Sequence, residues 1–396
     1  MNSTINAKLK LFLPCYFAFF VNGAMVLAVG AVLPYIIQEA GLSYGLAGGL
    51  LSTFAIGNLL ASFVNPLMAA KLGRKATIVL LSSLIPITWL VISLLPSVMV
   101  MYVLFILMGI GRGSVSIINN AVVNDNSDGK PAALNFLHMS FAVGAFVSPF
   151  LTSAFISLGF GWRIIVYIII IATSLSCVGY ASMNLNAARP QKTDAQLKEH
   201  RQDKQHKLFY KSAIFYIMGL LLFLYLGLEN CVNGWFVTYF KSMEIMSDAY
   251  ATNLVSITWI MVMLGRLLTA KLSQKVDKNK LIMVYCIATA FFFVLLVVTS
   301  NLIVITIAIT GLGFFFAGIY PTSISSVGVV VKGDDTGMSM FLAMAALGGI
   351  ITPQIVGIVA DGAGLVAAIL LLSINAAGMF ALSCINIKIA KKSKVV

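Results

Sequence analysis

Scarcity of charge constrains this chain more than any other feature. Only 10% of its 396 residues are Asp, Glu, Lys or Arg, while 60% are apolar. An average soluble domain carries about 25% charged residues, and a soluble globule of this length could not clothe its surface with so few. The apolar residues cluster in runs of about 20 or more, enough for a helix to cross the hydrocarbon core of a bilayer. Lipid offers no hydrogen bonds to an open backbone, so each run must satisfy its own amides as a helix. The expected class is an all-α membrane protein.

Twelve such runs are legible: 11–38, 44–70, 76–95, 98–122, 131–157, 162–185, 209–240, 247–271, 280–299, 301–330, 335–360 and 364–387. Short links such as Pro96-Ser97 and Ser300-Asn301 alternate with charged ones, the pattern of an up-and-down bundle. Lys8 and Lys10 before Leu11 imitate a signal peptide, but the apolar stretch continues to about Ile37 and lacks a small-residue cleavage site. It is expected to remain as the first span. Placing both termini in the cytoplasm puts 22 of the 26 Lys and Arg on that side, against Arg163 and Lys241 outside and Arg112 and Arg266 within spans. That asymmetry satisfies the positive-inside rule. The formal charge of +13 therefore records topology and contact with acidic lipid, and nucleic acid is not an expected partner. The five cysteines lie in or beside apolar runs with no metal-ligand spacing, so they are expected to behave as small hydrophobes.

Residues 186–208 form the only long polar stretch and contain His200 and His206; the expectation is a solvated cytoplasmic linker. The chain repeats itself across it. Ala70-Lys71-Leu72 with Lys75 recurs as Ala270-Lys271-Leu272 with Lys275, and Gly109-Ile110-Gly111 as Gly311-Leu312-Gly313. Phe136-Leu137, Met139 and Gly144 recur as Phe341-Leu342, Met344 and Gly349, each set followed by a proline, Pro149 or Pro353. The offsets of 200, 202 and 205 keep three helices collinear. Two pseudo-symmetric six-helix halves, 1–185 and 209–396, are expected, with a site between them.

The layout resembles the major facilitator superfamily over essentially the whole chain. Several motifs resemble its fucose/galactose–proton symporters and sodium-dependent glucose carriers. They are Leu134-Asn135-Phe136-Leu137-His138 with Gly144 and Pro149, Gly227-Leu228-Glu229 with Gly234-Trp235, Gly311-Leu312-Gly313 with Tyr320-Pro321-Thr322, and Gly348-Gly349 with Pro353 and Asp361. The resemblance implies a transporter with two rocking halves. Two departures stand out. The superfamily signature ends in Asp-Arg-x-Gly-Arg-Lys, but here Ala70-Lys71-Leu72-Gly73-Arg74-Lys75 lacks the acid. Where the family's sugar carriers place carboxylates in helices 1 and 4, this chain has Asn22, Arg112, Asn119 and Asn120, so proton coupling does not carry over.

A charge at bilayer depth is costly and marks a cavity or a partner. Glu229 is the one carboxylate deep inside a span, and Tyr225, Glu229, Asn233 and Phe236 share its helical face. Such a stripe suits a sugar, with acceptors for hydroxyls and rings for its C–H face. Glu229 is also the candidate ion-coupling group. Arg112 is expected to bind substrate, pair with Glu229 or be satisfied structurally; His138, Asn22, Asn58, Trp259 and Gln354 are further candidate lining residues. Lys71, Arg74, Arg266 and Lys271 are expected at the inner surface as a conformational gate. Gly45, Gly48 and Gly49 are expected to support close helix packing. No cluster of paired acids, nucleophile or metal ligands argues for an enzyme. The expected protein is an ion-coupled sugar transporter of the plasma membrane, working as a monomer, with no cofactor beyond H+ or Na+. The alternative is proton-driven efflux of amphipathic drugs.

Overall fold

The structure, a computed structural model, describes residues 2–127, 131–183, 209–328, 330–331 and 335–393. The 186–208 linker with its two histidines lies outside the described residues, as do Lys130 and Lys332. Among the described residues the protein is helical throughout, with eleven helices long and apolar enough to cross a membrane. In chain order they are α1 (Asn2–Ala40), α2 (Tyr44–Ile92), α3 (Val98–Asn126), α4 (Pro131–Ser157), α5 (Arg163–Ser182), α6 (Ala213–Ser242), α7 (Asp248–Leu272), α8 (Lys278–Val297), α9 (Leu302–Val327), α10 (Asp335–Ala363), α11 (Leu365–Leu371) and α12 (Ser373–Ser393). The last two form one span, Leu365–Ala390.

The expected spans 44–70 and 76–95 are joined in α2, whose helical path is broken only at Gly73 (φ 78°, ψ 161°). Glycine reaches that positive φ without the Cβ clash other residues suffer. The two arms run in opposite directions along α3: Gly57 lies beside Gly109 and Ala61 beside Gly113, whereas Leu81 and Ile85 meet Gly111 and Arg74 meets Asp125. The chain therefore reverses at Gly73 without a loop.

Capping accounts for several helix starts. Ser43 and Ser247 accept from the amides of Leu46 and Tyr250, and Asp277 and Asn301 each accept from two amides of the following turn. These groups satisfy donors that a helix leaves orphaned in its first turn.

Close approach through glycine holds the bundle together, as expected where lipid supplies no hydrophobic drive between helices. Gly144 of α4 abuts the Phe20 carbonyl of α1, and Gly348 of α10 abuts the Phe223 carbonyl of α6. Gly45 and Gly48 of α2 meet Asp361, Pro353 and Gly357 of α10, while Gly49 faces the ring of Tyr102. Large apolar side chains such as Leu94, Ile171, Phe291 and Ile303 project outward from the bundle, where a bilayer would cover them. All five cysteines are free, and Cys15, Cys231 and Cys286 are buried.

Candidate functional site

Between the helices that precede residue 184 and those that follow residue 208 lies a cavity of about 370 Å³. That is within the range of small-molecule sites. Its walls come from α1, the first arm of α2, α3 and α4 on one side, and from α6, α7, α9 and α10 on the other. Neither the second arm of α2 nor α5, α8, α11 or α12 contributes to the wall.

Helix α6 carries the richest face. Tyr225, Glu229 and Asn233 recur every fourth residue and all line the cavity, joined by Leu226 and Asn230. The Tyr225 hydroxyl lies 3.0 Å from Glu229 Oε1 and 3.3 Å from the Phe316 carbonyl. Asn233 Oδ1 accepts from Trp259 Nε1 at 3.2 Å, and the Trp259 ring meets Phe141 edge-on at 5.6 Å. Across the cavity, Arg112 donates through Nη1 to Asn58 Oδ1 at 2.5 Å, while its Nε is buried with no hydrogen-bond partner. Gly111 and Gly113 flank it, drawing α3 against both arms of α2. Tyr320 and Arg266 complete the polar wall. Among the described residues no ion pair within 4.0 Å joins Glu229 to either arginine. Pairing of Arg112 with Glu229, one of the expected options, gives way to the Arg112–Asn58 bond.

Of the residues singled out from sequence, Asn58, Arg112, Glu229, Asn233 and Trp259 are brought together here. Others are not. Asn22 is 3% exposed and points into a separate hole of about 10 Å³ beside Ser82, Thr173 and Ser176, with neither amide atom paired; Val26, one turn on, is the α1 residue that faces the cavity. His138 is exposed and packs edge-on to Phe19, outside the cavity wall. Gln354 donates to the Gly45 carbonyl at 3.1 Å, in the seam between α2 and α10. Phe236 keeps the angular position of Tyr225 and Glu229 on the helix, but it lies a turn beyond Asn233, past the cavity, where it is fully buried against Tyr239 and Phe240.

The expected gate is also divided. Arg74 pairs with Asp125 at 2.8 Å, and Lys71 and Lys271 are exposed near helix ends. Arg266, expected beside them, instead lines the cavity. It lies five residues deeper than Lys271, about 7.5 Å along the axis. Tyr320, Asn230, Phe141, Ser62 and Ser116 were missed as cavity residues. For Tyr320 the adjoining Pro321 was a usable signal; the others carry none in the sequence alone.

The cavity is sealed at the end of the bundle farther from the chain termini. Asp361 accepts from the amides of Tyr44 and Gly45 at 2.7 and 2.9 Å, and Ser52 donates to the Ile350 carbonyl at 2.6 Å. Ser153 donates to the Ala249 carbonyl at 3.1 Å, and the Lys241 ammonium sits 3.9 Å from the centre of the Tyr35 ring. Among the described residues, every hydrogen bond linking the earlier helices to the later ones belongs to this end or to the α2–α10 seam running from it.

A membrane-embedded helical bundle with a polar, charged cavity between two groups of helices, closed at one end, has the form of a carrier. The family assignment agrees: the Major Facilitator Superfamily model matches residues 15–353, and the chain belongs to that superfamily. It is 22% identical over 350 residues to the glucose/mannose transporter GlcP of Bacillus subtilis, with 86% of each chain covered. It is 25% identical over 169 residues to a putative glucose/galactose transporter of Helicobacter pylori, covering 42% of this chain and 41% of that one. Among solved structures it resembles the nucleoside transporter NupG (TM-score 0.77, 15% identity, 98% and 99% coverage). The D-xylose-proton symporter is similar too (TM-score 0.77, 13% identity, 96% and 97% coverage).

Proposed function

We propose that this protein is a secondary transporter that carries a sugar-sized, hydroxyl-rich solute across the plasma membrane by alternating access, coupled to H+ or Na+. The observation that carries this reading is the cavity: acceptors at Glu229, Asn233 and Asn58, and rings at Tyr225, Trp259 and Phe141, line one shared volume. Hydroxyls and C–H faces of a sugar suit such a wall. The printed names of the Bacillus and Helicobacter relatives support the same substrate class.

In this proposal α2 crosses twice, giving twelve crossings in two six-helix halves, 1–185 and 209–396, linked by 186–208. The opposed arms of α2 and the matching glycine contacts of Gly144 and Gly348 support it. With both termini cytoplasmic, as the charge asymmetry argues, the sealed end faces outward and the cavity serves the cytoplasm. Glu229, the only carboxylate in the cavity wall among the described residues, is the coupling group, and Lys71, Arg74 and Lys271 lie where inner-surface rearrangement would act. The protein functions as a monomer.

Uptake into proteoliposomes of labelled hexoses, pentoses and nucleosides, under imposed proton or sodium gradients, tests this reading. Gradient-driven sugar accumulation in the native protein and its loss in Glu229→Gln are expected. Export of cationic dyes with no sugar uptake would replace it with drug efflux.

A further inference from the structure

The charge of the cavity narrows the substrate further, on the premise that this cavity is the transport site. Its wall holds two guanidinium groups, Arg112 and Arg266, and one carboxylate, Glu229. Among the described residues, and with Glu229 free of a coupling ion, the wall carries one cationic group more than it has carboxylates. An uncompensated charge at bilayer depth is unfavourable, and such a residue ordinarily meets a counter-charge or a water-filled path. The three groups are not engaged alike. Glu229 Oε1 already accepts from Tyr225, while Arg112 uses Nη1 on Asn58 and keeps Nε buried and unpaired. Arg266, partly buried on α7, has no hydrogen-bond partner among the described residues and lines the same cavity as Arg112. The two cations come from opposite groups of helices, α3 and α7, so an anion held by both would be gripped by both.

We infer that the preferred solute is a polyhydroxylated monoanion, a sugar acid whose carboxylate is seated by Arg112 and Arg266 while its hydroxyls meet Glu229, Asn233 and Asn58. A guanidinium offers a planar fork of donors that matches a carboxylate. The count also sets the charge. One carboxylate neutralises the excess, whereas a phosphate monoester, with about −1.5 to −2 at neutral pH, overshoots it. A neutral hexose leaves the excess cation uncompensated. Glu229 then acts as the selector that limits the solute to one negative charge.

The test is competition against exchange in proteoliposomes with three matched compounds in each of the gluco, galacto and manno series: the hexose, the hexuronate and the hexose 6-phosphate. The members of a set differ only at C6. In the native protein at least one hexuronate is expected to compete at a concentration tenfold or more below its parent hexose. Arg112→Gln and Arg266→Gln, checked as monodisperse in detergent, are each expected to erase that preference, and Arg266→Lys to restore part of it. Equal or better competition by the neutral hexoses would overturn the inference and leave sugar transport standing. So would a hexuronate preference that survives both Gln variants. Preference for the phosphates would refute the single-charge count. Silence of all nine compounds together with dye export would overturn the sugar-transport reading as well.

Discussion

Asp361 offers the most quantitative test of how the closed end of the cavity is held. At the start of α2 three backbone amides that an isolated helix leaves unpaired are all occupied: Leu46 by the Ser43 hydroxyl, and Tyr44 and Gly45 by the two carboxylate oxygens of Asp361 on α10. The last two bonds cross from the later helices to the earlier ones and must break when the seam opens. Hydrogen bonds to charged groups contribute about 1.5–3 kcal/mol each where water is excluded, and loss of a helix N-cap costs about 1 kcal/mol. Asp361 is exposed, so water replaces part of what is lost, and about 1–2 kcal/mol is expected for Asp361→Ala. At 1.4 kcal/mol per factor of ten, the ratio of protein open at this end to sealed protein should rise roughly fivefold to thirtyfold. Asp361→Asn keeps one acceptor oxygen and should fall between. Double electron–electron resonance in a cysteine-free background reads this ratio from labels at Leu158 and Ile245. These exposed residues flank the separate α4–α7 contact at Ser153 and Ala249. A distance distribution unchanged by Asp361→Ala would refute the latch, because the seam would then close without those two bonds.

Other outcomes follow from the same structure. Glu229→Gln should reduce gradient-driven uptake at least tenfold while leaving the protein monodisperse, checked by proteoliposome transport and size-exclusion chromatography. Gly30→Ala places a methyl against the Asn233 carbonyl of α6; overpacking of about 1–3 kcal/mol should lower thermal stability and shift the same spin-label distances toward the open state. Asn22→Leu removes two buried, unpaired polar atoms, so thermal stability should hold or rise, with transport retained because that side chain lies outside the cavity. Arg74→Ala breaks a partly exposed ion pair, 39% and 20% accessible at its two ends. It should cost less than about 1 kcal/mol, read as a small shift in melting temperature.

The cavity was legible in the sequence where one helix supplied its pattern and illegible where several helices had to meet. Tyr225, Glu229 and Asn233 recur at a spacing of four, so their common face followed from helical geometry alone. Phe236 shares that face but sits a turn beyond Asn233, past the cavity and inside packed aromatic rings, a difference of depth that the spacing alone did not reveal. Asn22 and Gln354 are as polar as Asn58, yet one faces an inner crevice and the other a seam near the closed end. Arg266 was assigned by its nearness to Lys271 along the chain, but one and a half turns of helix carry it from the surface into the cavity. The spans 44–70 and 76–95 were separable as apolar runs, while their direct junction at Gly73 was not, since a single positive φ leaves no polar loop behind.

Composition and the length of the apolar runs determined by themselves that this chain is a membrane-spanning helical bundle, because lipid permits no other way to satisfy so much backbone. The distribution of Lys and Arg argued its orientation, and the isolation of Glu229 pointed to a residue that lines the cavity. Which polar side chains share the cavity, and which end is sealed, was decided only by tertiary structure. Hydropathy records depth along each helix, whereas a site depends on the rotation of each helix about its own axis. That rotation is set by glycine contacts and hydrogen bonds between residues hundreds of positions apart, such as Asp361 with Tyr44 and Gln354 with Gly45.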